Sequence, residues 1–438
     1  MVNGPVDPAA ETRRTEVPDG VPGANGAAPP PAGPGSAPPG RGRGPLVVAA
    51  LALAVAIVAS AAFFATRPTP TASVAPSPTP SEIAVTTPSP SRVASPTPSP
   101  TLTATPEPSP TPPPTSGYLA DRADLVARAA LAQQGVQPYK AAVDDLMAWA
   151  QGARGSKPHP VRSLRIDGTE GPFVDDTATA YGLALAYVVS GDEQYAQASA
   201  RFIDAWVDTM TSTRLTCAND GACQTSLIIG RTAPGFVFAA DLLSESPSFD
   251  AAAQARLKRW LHDLILPTAS RLTNNWGDTG TFTRVAITAY LGDVAGFESA
   301  VAKWRRLMDL IPSDGHIPAE VARGRAGMSY TQEALDYKVA TAVIAERHGT
   351  DLWSYAGAKG GTLKKAVDYL ARYMRDKRGW PWSSRVRRRP ASDMWELAYA
   401  HWQDPDYRRF VTERRPYGVL GHSAVRWTTL TNGIPLVP

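Results

Sequence analysis

Apolar and polar positions alternate with a helical rhythm through most of the chain beyond residue 170. Ala178, Tyr181, Leu185 and Val189 stand three and four residues apart, which places them on one face of an α-helix. Asp175 and Asp176 precede that run and predict a helix start, because carboxylates there cap free N–H groups and meet the positive end of the helix dipole. Gly191-Asp192 interrupts the pattern, and a second helix follows through Tyr195, Phe202 and Trp206. The motif recurs. Residues 285–291 lead to Gly292-Asp293 and a helix through Phe297, Val301 and Trp304, and 331–347 lead through His348-Gly349-Thr350 to 352–356. A long helix is expected over 251–272. Helices joined by such short turns are αα-hairpins. Strand-like alternation is sparse, and 419–430 is its best candidate. Serial hairpins predict an all-α domain, an α/α toroid (incomplete α/α barrel). A solenoid is the alternative, and the irregular repeats argue against it.

Upstream, the rhythm is absent. Residues 46–65 are twenty positions without a charge. At about 1.5 Å per residue a helix of that length spans a bilayer core. A cleavable signal peptide is the rival reading, with Ala59, Ser60 and Ala61 as a cleavage-like site; its apolar core is usually shorter and nearer the N-terminus. Arg41 and Arg43 precede the run and only Arg67 follows closely, which favours a cytoplasmic N-terminus. The expected organisation is a disordered cytoplasmic segment over 1–44, a single transmembrane helix over 45–66, a linker over 67–116 and an extracellular domain over 117–438. The linker's repeats of Pro, Ser and Thr favour extended polyproline II conformers, a stalk reaching about 150 Å.

Composition sharpens the division. Most of the 42 prolines lie in the first 116 residues, and all 11 tryptophans lie beyond them. Only the later stretch can bury enough apolar surface to offset the entropy of ordering it. A net charge of +4 is too mild to imply nucleic acid and is compatible with an anionic ligand bound locally. Cys217 and Cys223 are the two cysteines. They read either as a disulfide clamping a loop in an oxidising compartment or as a metal or redox pair. The spacing matches no zinc pattern, and no histidine lies nearby.

Polar residues crowd two segments where a helix core would be apolar. In Asn274-Asn275-Trp276-Gly277-Asp278, amides can bond hydroxyls or a carboxylate and the indole can stack on a sugar ring. The same residues also read as a helix cap with Trp276 in the core. In the second, Glu320, Arg323 and Arg325 precede Ser329-Tyr330. Arginine binds carboxylates through paired hydrogen bonds, and adjacent positive charge favours a phenolate, which makes Tyr330 a candidate base. A solvated basic loop is the structural alternative. Arg385, Arg387, Arg388 and Arg389 near Trp380 and Trp382 suit an acidic glycan or, equally, a solvated loop. Glu170, Asp175 and Asp176 are the carboxylates that a glycoside hydrolase would need.

The chain resembles the alginate lyase family of polysaccharide lyases, which has the α/α toroid fold. The resemblance runs from about 175 to 353 and rests on three places in one order. These are the hairpin TATAYGLALAYVVSGDEQYAQASARFIDAW, the triplet at 274–276, and the stretch from Asp314 to Trp353 with its seven-residue step from Arg323 to Tyr330. The resemblance implies that Asn275 and Arg323 neutralise a uronate carboxylate, and that Tyr330 serves as base and acid in β-elimination. Asn274, Trp276, Arg325 and His316 are then candidate substrate contacts, the partner is an acidic uronate-containing polysaccharide, and no metal or organic cofactor is needed. The family's Asn-Asn-His carries Trp276 in place of histidine. Trp donates one hydrogen bond and cannot act as a base. His316 and His422 are the candidates to supply an imidazole from elsewhere.

Overall fold

The computed structural model describes residues 117–166, 171–219, 221–387, 389–419 and 423–436. The candidate bilayer span and the stalk lie outside them, as do Glu170, Arg388 and His422. Among the described residues no helix is long and apolar enough to cross a membrane.

Helices α1 (Arg122–Gln133) and α2 (Tyr139–Ala153) open the domain. Next come α3 (Gly171–Ser190) and α4 (Glu193–Thr209), joined at Gly191, whose φ of 72° is left-handed; Asp192 caps α4 by accepting from Gln194 N. Helix α5 (Gln224–Thr232) is separated from α6 (Pro234–Leu242) by Ala233 alone. After α7 (Ala251–Trp260) comes a second hairpin of α8 (Asn275–Leu291) and α9 (Val294–Met308), again turned by a left-handed glycine, Gly292, and capped by Asp293. The short α10 (Pro318–Val321) leads to α11 (Gly327–Arg347). Then follow α12 (Leu363–Arg375), α13 (Met394–Trp402), α14 (Pro405–Arg414) and the single turn α15 (Thr428–Thr431).

Two kinds of helix alternate. Helices α3, α6, α8 and α11 are buried on nearly every face, whereas α4, α9 and α12 bury one stripe. A helix apolar all round is an inner element, and one with a single apolar stripe covers it. Neighbouring inner helices touch in sequence, α3 with α6, α6 with α8, α8 with α11 and α11 with α13. Lys338 Nζ meets Asp278 Oδ1 at 2.7 Å and pins α11 to α8 through a buried ion pair. Helix α15 returns to α1 and α2. There Arg128 donates to Leu430 O and Gly433 O, and Asn432 Nδ2 donates to Leu119 O. This inner and outer arrangement is the expected α/α toroid.

Four local expectations are corrected. Asp175 and Asp176 lie inside α3, which begins at Gly171; Asp176 is buried and accepts from His159 N and Trp206 Nε1. The helix over 251–272 stops being α-helical after Trp260 and ends in a short 3-10 turn holding Pro267, which has no N–H to continue the ladder. Residues 352–356 form no helix. The described part of 419–430 is not a strand. Trp427 is left-handed at φ 51°, Arg426 is buried against backbone carbonyls, and Thr428 begins a helical turn. The one two-residue strand pair among the described residues is Ser163–Leu164 with Ser212–Thr213. Cys217 and Cys223 form the disulfide.

Candidate active site

The site is built where α8 starts and where the chain turns from α10 into α11. Asn274 caps α8, its Oδ1 accepting from Trp276 N at 3.1 Å. The first two turns of α8 have to sit tight against the preceding loop. A Cβ on Gly277 would fall 1.9 Å from Leu272 O, and one on Gly280 would fall 2.0 Å from Ser270 O, so neither position tolerates a side chain. This contact fixes Asn275, whose side chain is fully buried.

Glu320, also fully buried, reaches across from α10 and accepts from Asn275 N at 2.7 Å. A carboxylate at that place meets a free helix N–H and the positive end of the dipole. Four residues later, Gly324 turns in the left-handed region at φ 59°. This directs Arg323 back over the site. Its Nε lies 3.3 Å from Glu320 Oε2, its second terminal nitrogen donates to Asn275 Oδ1 at 3.2 Å, and its guanidinium carbon is 4.1 Å from the centre of the Tyr330 ring. Asn275, Arg323 and Tyr330 therefore meet in one cluster, with Glu320 as a fourth member.

Beneath Tyr330, one helical turn along α11, is Glu333. It is buried between Arg231 of α5, with which it makes a close ion pair, and Arg389 at 3.5 Å. These cations hold the Glu333 carboxyl below its usual range against its own burial. Glu333 also feels the Asn275 amide, yet Asn275 Nδ2 makes no hydrogen bond of ordinary geometry and stays a buried donor without a partner. Buried donors are almost always satisfied, so an orphan marks a place where an acceptor is wanted.

The electrostatics correct one expectation. Arg323 and Arg389 do pull the Tyr330 phenol down, but burial first and Glu333 second push it up, and the net shift is upward. Burial likewise pushes Glu320 up to about 7, against the attraction of Arg323.

The remaining candidates divide. Trp276 is buried beside Asn275, and neither it nor Tyr330 belongs to the main hydrophobic core. Arg325 is exposed. His316 meets none of the three central residues; its Nδ1 is 2.8 Å from Asp314, and its ring packs 4.9 Å from that of Trp382. Glu333 stands three residues after Tyr330, a spacing that sequence alone shows to share a helix face. Arg231 and Arg389 carry no such signal.

The family model described as Alginate lyase matches residues 131–380, more than half of the chain. No match is found among curated proteins. Among solved structures, an alginate lyase from Bacteroides ovatus is 18% identical with a TM-score of 0.58, over 73% of this chain and 100% of that one. Alginate lyase A1-III from Sphingomonas species A1 is 19% identical with a TM-score of 0.58, over 73% and 96%. A substituted form of alginate lyase A1-III complexed with tetrasaccharide is 17% identical with a TM-score of 0.59, over the same shares. At these identities the structures speak for the toroid fold, while the sequence match, reaching further in both directions than the resemblance over 175–353, speaks for kinship. The chain belongs to the alginate lyase family of polysaccharide lyases.

Proposed function

We propose that the domain cleaves a uronate-containing glycan by β-elimination, with Tyr330 as base and acid and with Asn275 and Arg323 at the uronate carboxylate. The observation that carries this reading is the meeting of those three side chains around an unpartnered amide donor. Elimination removes the C5 proton, which is poorly acidic beside a charged carboxylate. Arg323 neutralises that carboxylate, and Asn275 Nδ2 donates to the oxygen on which negative charge develops. The Tyr330 phenolate takes the proton and returns it to the 4-O leaving group, leaving a C4–C5 double bond. The neighbour that is complexed with tetrasaccharide supports a glycan ligand for this fold.

A second reading, glycan binding without turnover, is favoured by Trp276 in place of the family's histidine. Hydrolysis by paired carboxylates is disfavoured, because Asp176 is spent on His159 N and Trp206 Nε1. For location we propose a single-pass membrane anchor over 45–66 with the domain outside the cell, supported by the uncharged run 46–65 and by a disulfide that suits an oxidising compartment.

The deciding experiment is ultraviolet absorbance of the full chain with a panel of polyuronates. A rise from the conjugated double bond, absent in Tyr330→Phe, establishes elimination. Binding with no rise on any polymer selects the second reading.

A further inference from the structure

The segment after residue 380 lies beyond the family match yet is tied to the site at several points. Arg387 N donates to Arg325 O at 2.8 Å, Gln332 Nε2 donates to Pro390 O at 2.9 Å, and Arg389 reaches Glu333. Just before it, Trp380 is buried edge-on against Tyr369 and Tyr373, while Trp382 within it is 41% exposed. An exposed indole on a loose loop would mean little, but this one is held. Its Nε1 donates to Tyr369 OH at 2.7 Å and its ring rests beside His316. Residues 377–392 contain six arginines and lysines and no acid. Arg325 and Arg385 are exposed and make no ion pair among the described residues, whereas Asp314, the acid beside His316, is engaged by that imidazole.

We propose that this segment is a distal subsite for the same acidic glycan. A sugar ring remote from the scissile bond stacks on Trp382, and Arg325 and Arg385 pair with uronate carboxylates between it and Tyr330. The proposal rests on the uronate lyase reading and adds to it a preference for long chains. A fixed aromatic face binds a pyranose with little loss of side-chain freedom, and exposed arginines add an attraction that salt screens.

The test is calorimetric titration of full-length protein carrying Tyr330→Phe with a uronate disaccharide and a uronate octasaccharide. The octasaccharide should bind more tightly, and Trp382→Ala should shrink that advantage about tenfold. Arg385→Glu, an exposed change with little risk to the fold, should shrink it too and flatten its salt dependence. An advantage for the long chain that neither variant alters overturns the subsite and leaves the lyase reading standing. No binding of either oligomer, with no double bond formed by the unsubstituted chain, overturns both.

Discussion

The guanidinium carbon of Arg323 stands 4.1 Å from the centre of the Tyr330 ring while the same group holds Asn275 Oδ1 at 3.2 Å. One planar cation thus sets the places of both the amide and the phenol. Lysine carries the charge but not the fork. Arg323→Lys should lower kcat/KM by about 100-fold with helical content unchanged, as circular dichroism and steady-state rates would show. A loss of less than twofold would detach Arg323 from the chemistry.

The pH–rate profile should carry two features. Because the Tyr330 phenol sits above its ordinary value, phenolate is scarce at neutrality and the rate should climb into the alkaline range. Glu320 should add an inflection near pH 7. Below it the carboxyl is neutral and Arg323 lacks its anionic partner; above it the pair forms. Glu320→Gln should erase the inflection and keep the alkaline rise. A wild-type profile of kcat/KM with a single alkaline limb would remove Glu320 from the mechanism.

Trp276→His should widen the range of C5 epimers that are cleaved. The indole is buried beside Asn275 and has no basic nitrogen, so proton removal falls to Tyr330 alone. The smaller ring leaves a void that should cost about 2 kcal/mol of stability. Absorbance assays on polymers of opposite C5 configuration check this. The same substrate range in both proteins would mean that neither the missing imidazole nor the bulk of residue 276 decides which epimers are cleaved.

Stability should fall as pH rises. Asp336 and Asp393 are half-buried near one another; desolvation pushes the first up to about 8 and the second up to about 7. Both values lie above that of an exposed carboxyl, so the folded domain holds protons that the unfolded chain releases. The contribution of these groups is complete below about pH 4 and is lost by about pH 8. Thermal melts at pH 5.5 and 8.5 should differ by about 5 °C, and Asp336→Asn should narrow that gap. A midpoint that rises with pH would contradict the linkage.

Much of the architecture was legible because local chemistry and packing agree. Gly191-Asp192 and Gly292-Asp293 each combine a left-handed glycine with an aspartate cap, and the three-to-four spacing before and after them marks the buried faces. Where local signals conflict with tertiary demands, the reading fails. Asp176 resembles a cap but serves as a buried acceptor, and 251–272 has a helical rhythm that Pro267 cannot sustain. The site was half visible. Asn275, Arg323 and Tyr330 stand in recognisable order, whereas Arg231 and Arg389 reach Glu333 across 102 and 56 residues, a convergence that no local pattern encodes. The sign of the Tyr330 shift is set first by burial, which charge pattern alone does not reveal.

The seam between α15 and the first two helices has a consequence for biosynthesis. Arg128 finds Leu430 and Gly433 across 302 and 305 residues, and Asn432 finds Leu119 across 313. Contacts so distant in sequence must wait for the intervening chain. At about 5–20 residues per second, a ribosome exposes the opening hairpin tens of seconds before the segment that covers it. The nascent chain can pack its opening hairpin against α3 early, but the face that α15 covers stays open for that interval.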